Sequence, residues 1–156
     1  MLVQNLIDLI NLEADELLDE DTDNIPYINA AIDYLSFVLA GMGSSDCMNT
    51  TMIVDNLPVP SNFIEFVPKN GYPVFIDNNT FYTNGKTITA KYSIAMPHVS
   101  VVTDTIPFKD MYSSVLVLIA SYMIKKKSYI PVEYTGQDGT FLQTVLAAIG
   151  KAKGAA

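Results

Sequence analysis

One stretch constrains the fold of this chain more than any other. From Thr51 to about Ala95 the sequence is rich in β-branched and aromatic residues. Pro58, Pro60, Pro68 and Pro73 break it, as do the pairs Asn70-Gly71 and Asn84-Gly85. Asn-Gly supplies the positive φ that tight hairpin turns demand. Antiparallel strands are therefore expected at 51–54, 63–67, 73–76, 81–82 and 87–95. The last alternates, with Ile88, Ala90, Tyr92 and Ile94 on one side and Thr87, Thr89, Lys91 and Ser93 on the other. That is the pattern of a half-buried sheet.

Segments of helical periodicity flank this stretch. Leu2, Leu6, Leu9 and Ile10, with Val3 and Ile7 beside them, predict a helix over about 2–19. Acidic residues crowd its second half and oppose the helix macrodipole, so that end is expected to fray or to face a cationic partner. A second helix is expected over about 26–40. Asn24 suits its N-cap and Pro26 its first turn, while Gly41 and Gly43 end it. A third, over about 109–127, carries Tyr112, Val115, Leu116, Ile119 and Tyr122 and closes on Lys125-Lys126-Lys127. The segment from Tyr129 to Gly136 reads as a connector. A fourth helix is expected over about 138–149, with Gly150 as its C-cap and Lys151–Ala156 as a mobile tail. The expected fold class is α+β, mainly α with a small antiparallel sheet inserted. It runs helix, helix, sheet, helix, helix as one domain over residues 1–150.

A chain of 156 residues can bury a core without disulfides or metals. Mean hydropathy is +0.24, yet the longest charge-free apolar run, Met111 to Ile124, carries Ser113, Ser114 and Ser121 and is too short to cross a bilayer. No membrane role is expected. The start of the chain lacks a basic segment and carries Asp8 early, unlike a signal peptide. All nine cations are Lys, and the net charge is −8. Tight nucleic-acid binding rests on cations that neutralise phosphates, so it is not expected here. The charge is polarised: the first 33 residues hold nine acids and no base, whereas from Lys109 onward six Lys meet three acids.

The supply of catalytic groups is thin. His98 is the only histidine and Cys47 the only cysteine. Neither lies in a nucleophile motif, and both read as loop residues. Asp19, Asp21 and Asp23 alternate like the opening of a calcium loop, but Asn24 and Ala30 stand where its Gly and Glu belong. Gly41-Met-Gly lacks the third glycine and the lysine of phosphate-binding turns. Asp104 and Asp110 bracket a helix start, where carboxylates act as caps. Asn49-Thr-Thr and Asn78-Asn-Thr match the glycosylation sequon by chance. No cofactor, metal or enzymatic activity is expected. A small enzyme or ligand-binding domain would instead bring Asp104, Asp110 or His98 together in a deep pocket. The aromatics Tyr72, Phe75, Phe81, Tyr82 and Tyr92 fall on strands of a sheet too small to bury them all, which points to contact with another subunit.

Four segments, in order, resemble those of the head-to-tail adaptor proteins of tailed bacteriophages. Ile25-Pro-Tyr-Ile-Asn-Ala-Ala-Ile-Asp-Tyr-Leu is similar to their "YLNEA" helix. Leu57-Pro-Val-Pro-Ser-Asn-Phe-Ile-Glu-Phe-Val is similar to the segment leading into their β insertion, and Ala90-Lys-Tyr-Ser-Ile-Ala-Met-Pro-His to the strand leaving it. Asp104-Thr-Ile-Pro-Phe-Lys-Asp-Met-Tyr-Ser-Ser-Val-Leu-Val resembles the start of the next helix, with Lys109 near the place of an acid or proline. The resemblance spans residues 25–150. It implies a structural virion protein in the neck: a ring, usually of about twelve copies, below the portal, extending the DNA channel and receiving the next neck or tail protein. A tail-completion protein is the alternative within the same class. By analogy, Leu142, Val145, Leu146, Ile149, Lys151 and Lys153 would contact the portal, and Phe75, Phe81, Tyr82 and Tyr92 a neighbouring subunit or tail protein. Double-stranded DNA would pass without specific binding. Asp15, Glu16, Asp19, Glu20, Asp21 and Asp23 are the candidates to face that channel, where an acidic wall repels phosphate over roughly 8 Å at physiological salt.

Overall fold

The computed structural model describes residues 1–14, 18–128 and 138–154. The chain is α+β and mainly helical, in the predicted order of elements. It forms two compact units: a helical unit of residues 1–35 and 97–156, and a sheet unit of residues 36–96.

In the helical unit, α1 (Val3–Ala14) and α4 (Asp138–Gly154) each pack on α3 (Ser113–Ser128). Val3, Leu6, Ile7 and Ile10 of α1 are fully buried, as are Val115 and Ile119 of α3 and Val145 and Ile149 of α4. Ile28, Ala31, Ile32 and Leu35 of α2 (Ile25–Gly41) complete this core. Each Val, Leu or Ile among them contributes about 1.5–3 kcal/mol of burial. Stacked rings, Tyr122 on Phe141 at 3.8 Å between centroids, fasten α4 to α3.

The first turn of α1 is capped by the segment that precedes α3. The amides of Val3 and Gln4, unpaired donors of a helix start, donate to the carbonyls of Asp104 (2.9 Å) and Val102 (3.0 Å). Asp104 shapes that segment in turn. Its Oδ2 accepts the amides of Ser100 (2.7 Å) and Val101 (3.0 Å), which hold its carboxyl below the usual carboxylate range.

The first helix does not reach residue 19. Its described part ends at Ala14, and Asp19 and Glu20 lie in a bend. The acids that would have opposed its dipole serve the next element instead. Asp21 and Asp23 sit in the first turn of the 3-10 turn Asp21–Asn24, where negative charge is favourable. Asn24 ends that turn rather than standing free as a cap, and is buried. The end of α2 is as expected. Gly43 takes φ +68°, its amide donates to Ala40 O (3.0 Å) and that of Ser44 to Leu39 O (3.0 Å), the paired bonds of a glycine-terminated helix. Gly150 does not end α4, which runs on to Gly154, so Lys151–Gly154 is helical rather than a mobile tail. The expected connector, Tyr129 to Gly136, lies outside the described residues.

The sheet unit holds two three-stranded antiparallel sheets rather than one. The first has the order β1 (Met48–Ile53), β6 (Ile88–Ile94), β3 (Phe63–Phe66); the second has β2 (Leu57–Pro58), β5 (Thr80–Tyr82), β4 (Phe75–Asp77). Ile53, Phe81 and Ala90 form its buried centre, packed by Leu57, Val59, Phe63, Phe66, Tyr72, Val74 and Ile88. Asn84 and Gly85 take the positive φ of the predicted turn, but the turn passes the chain from β5 to β6, from one sheet to the other. The true hairpin, β4–β5, turns on Asn78 (φ +46°) and Asn79 (φ +57°). Asparagine is the non-glycine residue best suited to that conformation.

Candidate interaction surfaces

The four expected aromatics separate into two pairs. Phe81 is fully buried and Tyr92 nearly so, which removes both from any contact with a partner. Phe81 lies 5.5 Å from Phe63 and 5.6 Å from Phe66 between ring centroids, and Phe63 lies 5.3 Å from Tyr92. The sheets bury more aromatic surface than expected because they pack as two layers. Phe75 and Tyr82 stand directly opposite each other across the β4–β5 hairpin, 66% and 37% exposed. They border a shallow depression of about 550 Å³ that Tyr72, Pro73 and Val74 also line. Asp55 and Tyr72 on its wall are already engaged. Asp55 accepts the amides of Thr83 (2.9 Å) and Gly85 (3.2 Å), and the Tyr72 hydroxyl donates to Val67 O (2.9 Å). The exposed rings of Phe75 and Tyr82 are its most accessible apolar groups.

The expected portal face of α4 is narrower than the sequence suggested. Val145 and Ile149 are fully buried in the helical unit, because the helix turns that side toward α3. Leu142, Lys151 and Lys153 are exposed and Leu146 is half-buried. Lys151 also lines a groove of about 910 Å³ whose other walls include Leu9, Leu12, Met111, Val117 and Leu118. Leu12 is 80% exposed there. Sequence periodicity counted Leu9 toward the apolar face of α1 and missed the groove.

Asp19, Glu20, Asp21 and Asp23 all lie on the surface, and Asp15 and Glu16 lie outside the described residues. Three of the four, Glu20, Asp21 and Asp23, have local partners. The side-chain amide of Gln4 donates to Asp8 Oδ1 (3.1 Å) and to Asp21 Oδ2 (3.0 Å), and the Glu20 amide donates to Asp23 Oδ2 (3.0 Å). Among the described residues, no group of three His, Cys, Asp or Glu side chains is arranged to hold a metal ion.

The residues weighed for catalysis are put to other uses. Cys47 is buried in the 3-10 turn Ser45–Cys47, not idle in an open loop. His98 is exposed, with Nε2 2.8 Å from Asp33 Oδ1. The Asp104 carboxylate is occupied by backbone amides, and Asp110 lies on the rim of the 910 Å³ groove. Among the described residues, no helix is long and apolar enough to cross a membrane. Comparison with protein-family models finds no match, and comparison with curated proteins finds none.

Proposed function

We propose that this chain is a structural ring subunit of a tailed-phage neck, a head-to-tail adaptor that works by contact rather than by catalysis. The observation that carries the reading is the division of the fold. A compact sheet unit is inserted between α2 and α3 of a helical unit assembled from both ends of the chain. The four segments that resemble the adaptor family fall at the joints of that arrangement. Ile25–Leu35 lies in α2, Leu57–Val67 leads into β3, Ala90–His98 leaves β6, and Asp104–Val117 builds the cap of α1 and the start of α3.

The charge distribution suits a conduit. The helical unit holds thirteen acids against six Lys, and the acids of its 19–23 bend are exposed. Turned toward a channel, they would repel DNA phosphates instead of trading counterions with them. The portal would meet α4 through exposed Leu142, Lys151 and Lys153 and half-buried Leu146, and the next neck or tail protein would meet the sheet unit. Electron cryo-microscopy of phage particles carrying this chain tests the reading. Ring-symmetric density for this fold between portal and tail is the expected result. Its absence from the particle, or its placement at the distal end of the tail, would refute the adaptor reading.

A further inference from the structure

We infer that copies of this chain join edge to edge through the sheet unit, β1 of one copy pairing with β4 of the next. The inference rests on the ring reading for its biological setting, but its evidence is separate. Strand β1 is a free edge of its sheet, and no backbone hydrogen bond among the described residues joins Met48–Ile53 to anything but β6. Natural edge strands are guarded by charge, proline or a bulge. The sequence Met-Asn-Thr-Thr-Met-Ile carries no charge and no proline, and its pairing with β6 runs without a register shift. Asn49, Thr50 and Met52 are exposed, Met52 at 64%. An unguarded edge of this length calls for a strand to cover it.

The same unit supplies that strand. All three residues of β4 are exposed, and β4 is the outer strand of its own sheet. Asp77 and Thr80 flank the two-residue turn and so exchange hydrogen bonds. One step along, the pair Ile76–Phe81 does not, which turns the Ile76 amide and carbonyl outward. Phe75 and Tyr82 would then extend over the neighbour's exposed Met52 side chain.

The near-neutral sheet unit and its own exposed β4 edge favour a second copy as the occupant. The sheet unit holds four acids against three Lys, a net −1, while the helical unit carries −7. Like copies repel through their helical units and meet at little electrostatic cost through their sheets. Pairing β1 with β4 uses two different edges, so it propagates from copy to copy and can close a ring. Pairing β1 with β1 would stop at two.

The test is analytical ultracentrifugation of the full chain up to millimolar concentration, with Met52→Lys and Ile76→Lys. Both positions are exposed, and an unchanged circular-dichroism melt verifies the fold. Concentration-dependent association is expected, and either variant should raise its dissociation constant about tenfold or more, since each sets an unpaired lysine on a strand edge against an apolar neighbour. Leu12→Lys, on the helical unit, should leave it unchanged. A parent chain that stays monomeric overturns the inference, as do variants that associate like the parent. Oxidation of a Met52→Cys, Ile76→Cys double variant should give a ladder of covalent oligomers. Dimers from Met52→Cys alone would overturn β1–β4 pairing. A ring that survives both Lys variants keeps the adaptor reading and removes this interface. Edge-dependent association into open fibres keeps the interface and removes the ring.

Discussion

Replacing Phe81 by alanine separates a core role from an interface role at the residue where the two readings diverge. A phenylalanine buries about 150–250 Å² of side chain. At about 25 cal/mol per Å² that is roughly 4–6 kcal/mol of transfer energy, part of which the alanine methyl retains. Phe81 also makes ring contacts with Phe63 and Phe66, and such pairs add about 0.5–1.5 kcal/mol each beyond area. Partial collapse of Phe63, Phe66 and Tyr72 into the space offsets some of this, so Phe81→Ala should cost about 3–5 kcal/mol. For a chain of this size the loss corresponds to a fall in Tm of about 6–20 °C. Urea titration followed by far-ultraviolet circular dichroism and tyrosine fluorescence measures it. Phe75→Ala, on the exposed side of the same hairpin, should fall within about 0.5 kcal/mol of the parent. If Phe81→Ala costs less than about 1 kcal/mol, or Phe75→Ala costs more than Phe81→Ala, the two-layer account of the sheet unit is refuted.

Three further outcomes follow from particular residues. Gly150 lies inside α4, exposed, with open space where a Cβ would stand, so Gly150→Ala should raise stability by about 0.5–1 kcal/mol in a thermal melt. At Gly71 a Cβ would meet the ring of Pro68, so Gly71→Ala should destabilise the sheet unit by about 1–3 kcal/mol in the same urea titration. Asp104 has a folded pKa below its unfolded one, so its contribution is present above the ordinary carboxylate range and is lost as pH falls through the folded value. Asp104→Asn should therefore lower Tm at neutral pH, with the difference from the parent shrinking in acid. A constant difference across that range would contradict the assigned role.

Much of the fold was legible because its signals are local. The apolar spacing of α1 through α4, the glycine-terminated end of α2 and the alternation of β6 each depend on neighbours a few residues away. What escaped was set by distant partners. No local pattern says that Asn84-Gly85 joins two sheets, because strand pairing is decided by residues far apart in sequence. Asn78-Asn79 was visible as a sequon match and not as the hairpin turn it forms. Gly150 looked like a cap, but α4 runs on to Gly154, and Lys151 and Lys153 in its last turn suit the helix macrodipole. At the candidate surfaces, composition identified the aromatic class and the acidic cluster. Only tertiary packing separates Phe81 from Phe75 or Val145 from Leu142.

The capping of α1 by residues 102–104 has a consequence for synthesis. Helix α1 leaves the ribosome well before both the segment that caps it and the helix that covers Val3, Leu6, Ile7 and Ile10, each about a hundred residues further along. At about 5–20 residues per second, its apolar face stays uncovered for roughly 5–20 s. The sheet unit is contiguous in sequence, so it can fold within that interval, while the helical unit must wait for α3. A newborn chain thus carries an exposed amphipathic helix ahead of a finished β module, and chaperone demand during translation should fall on α1.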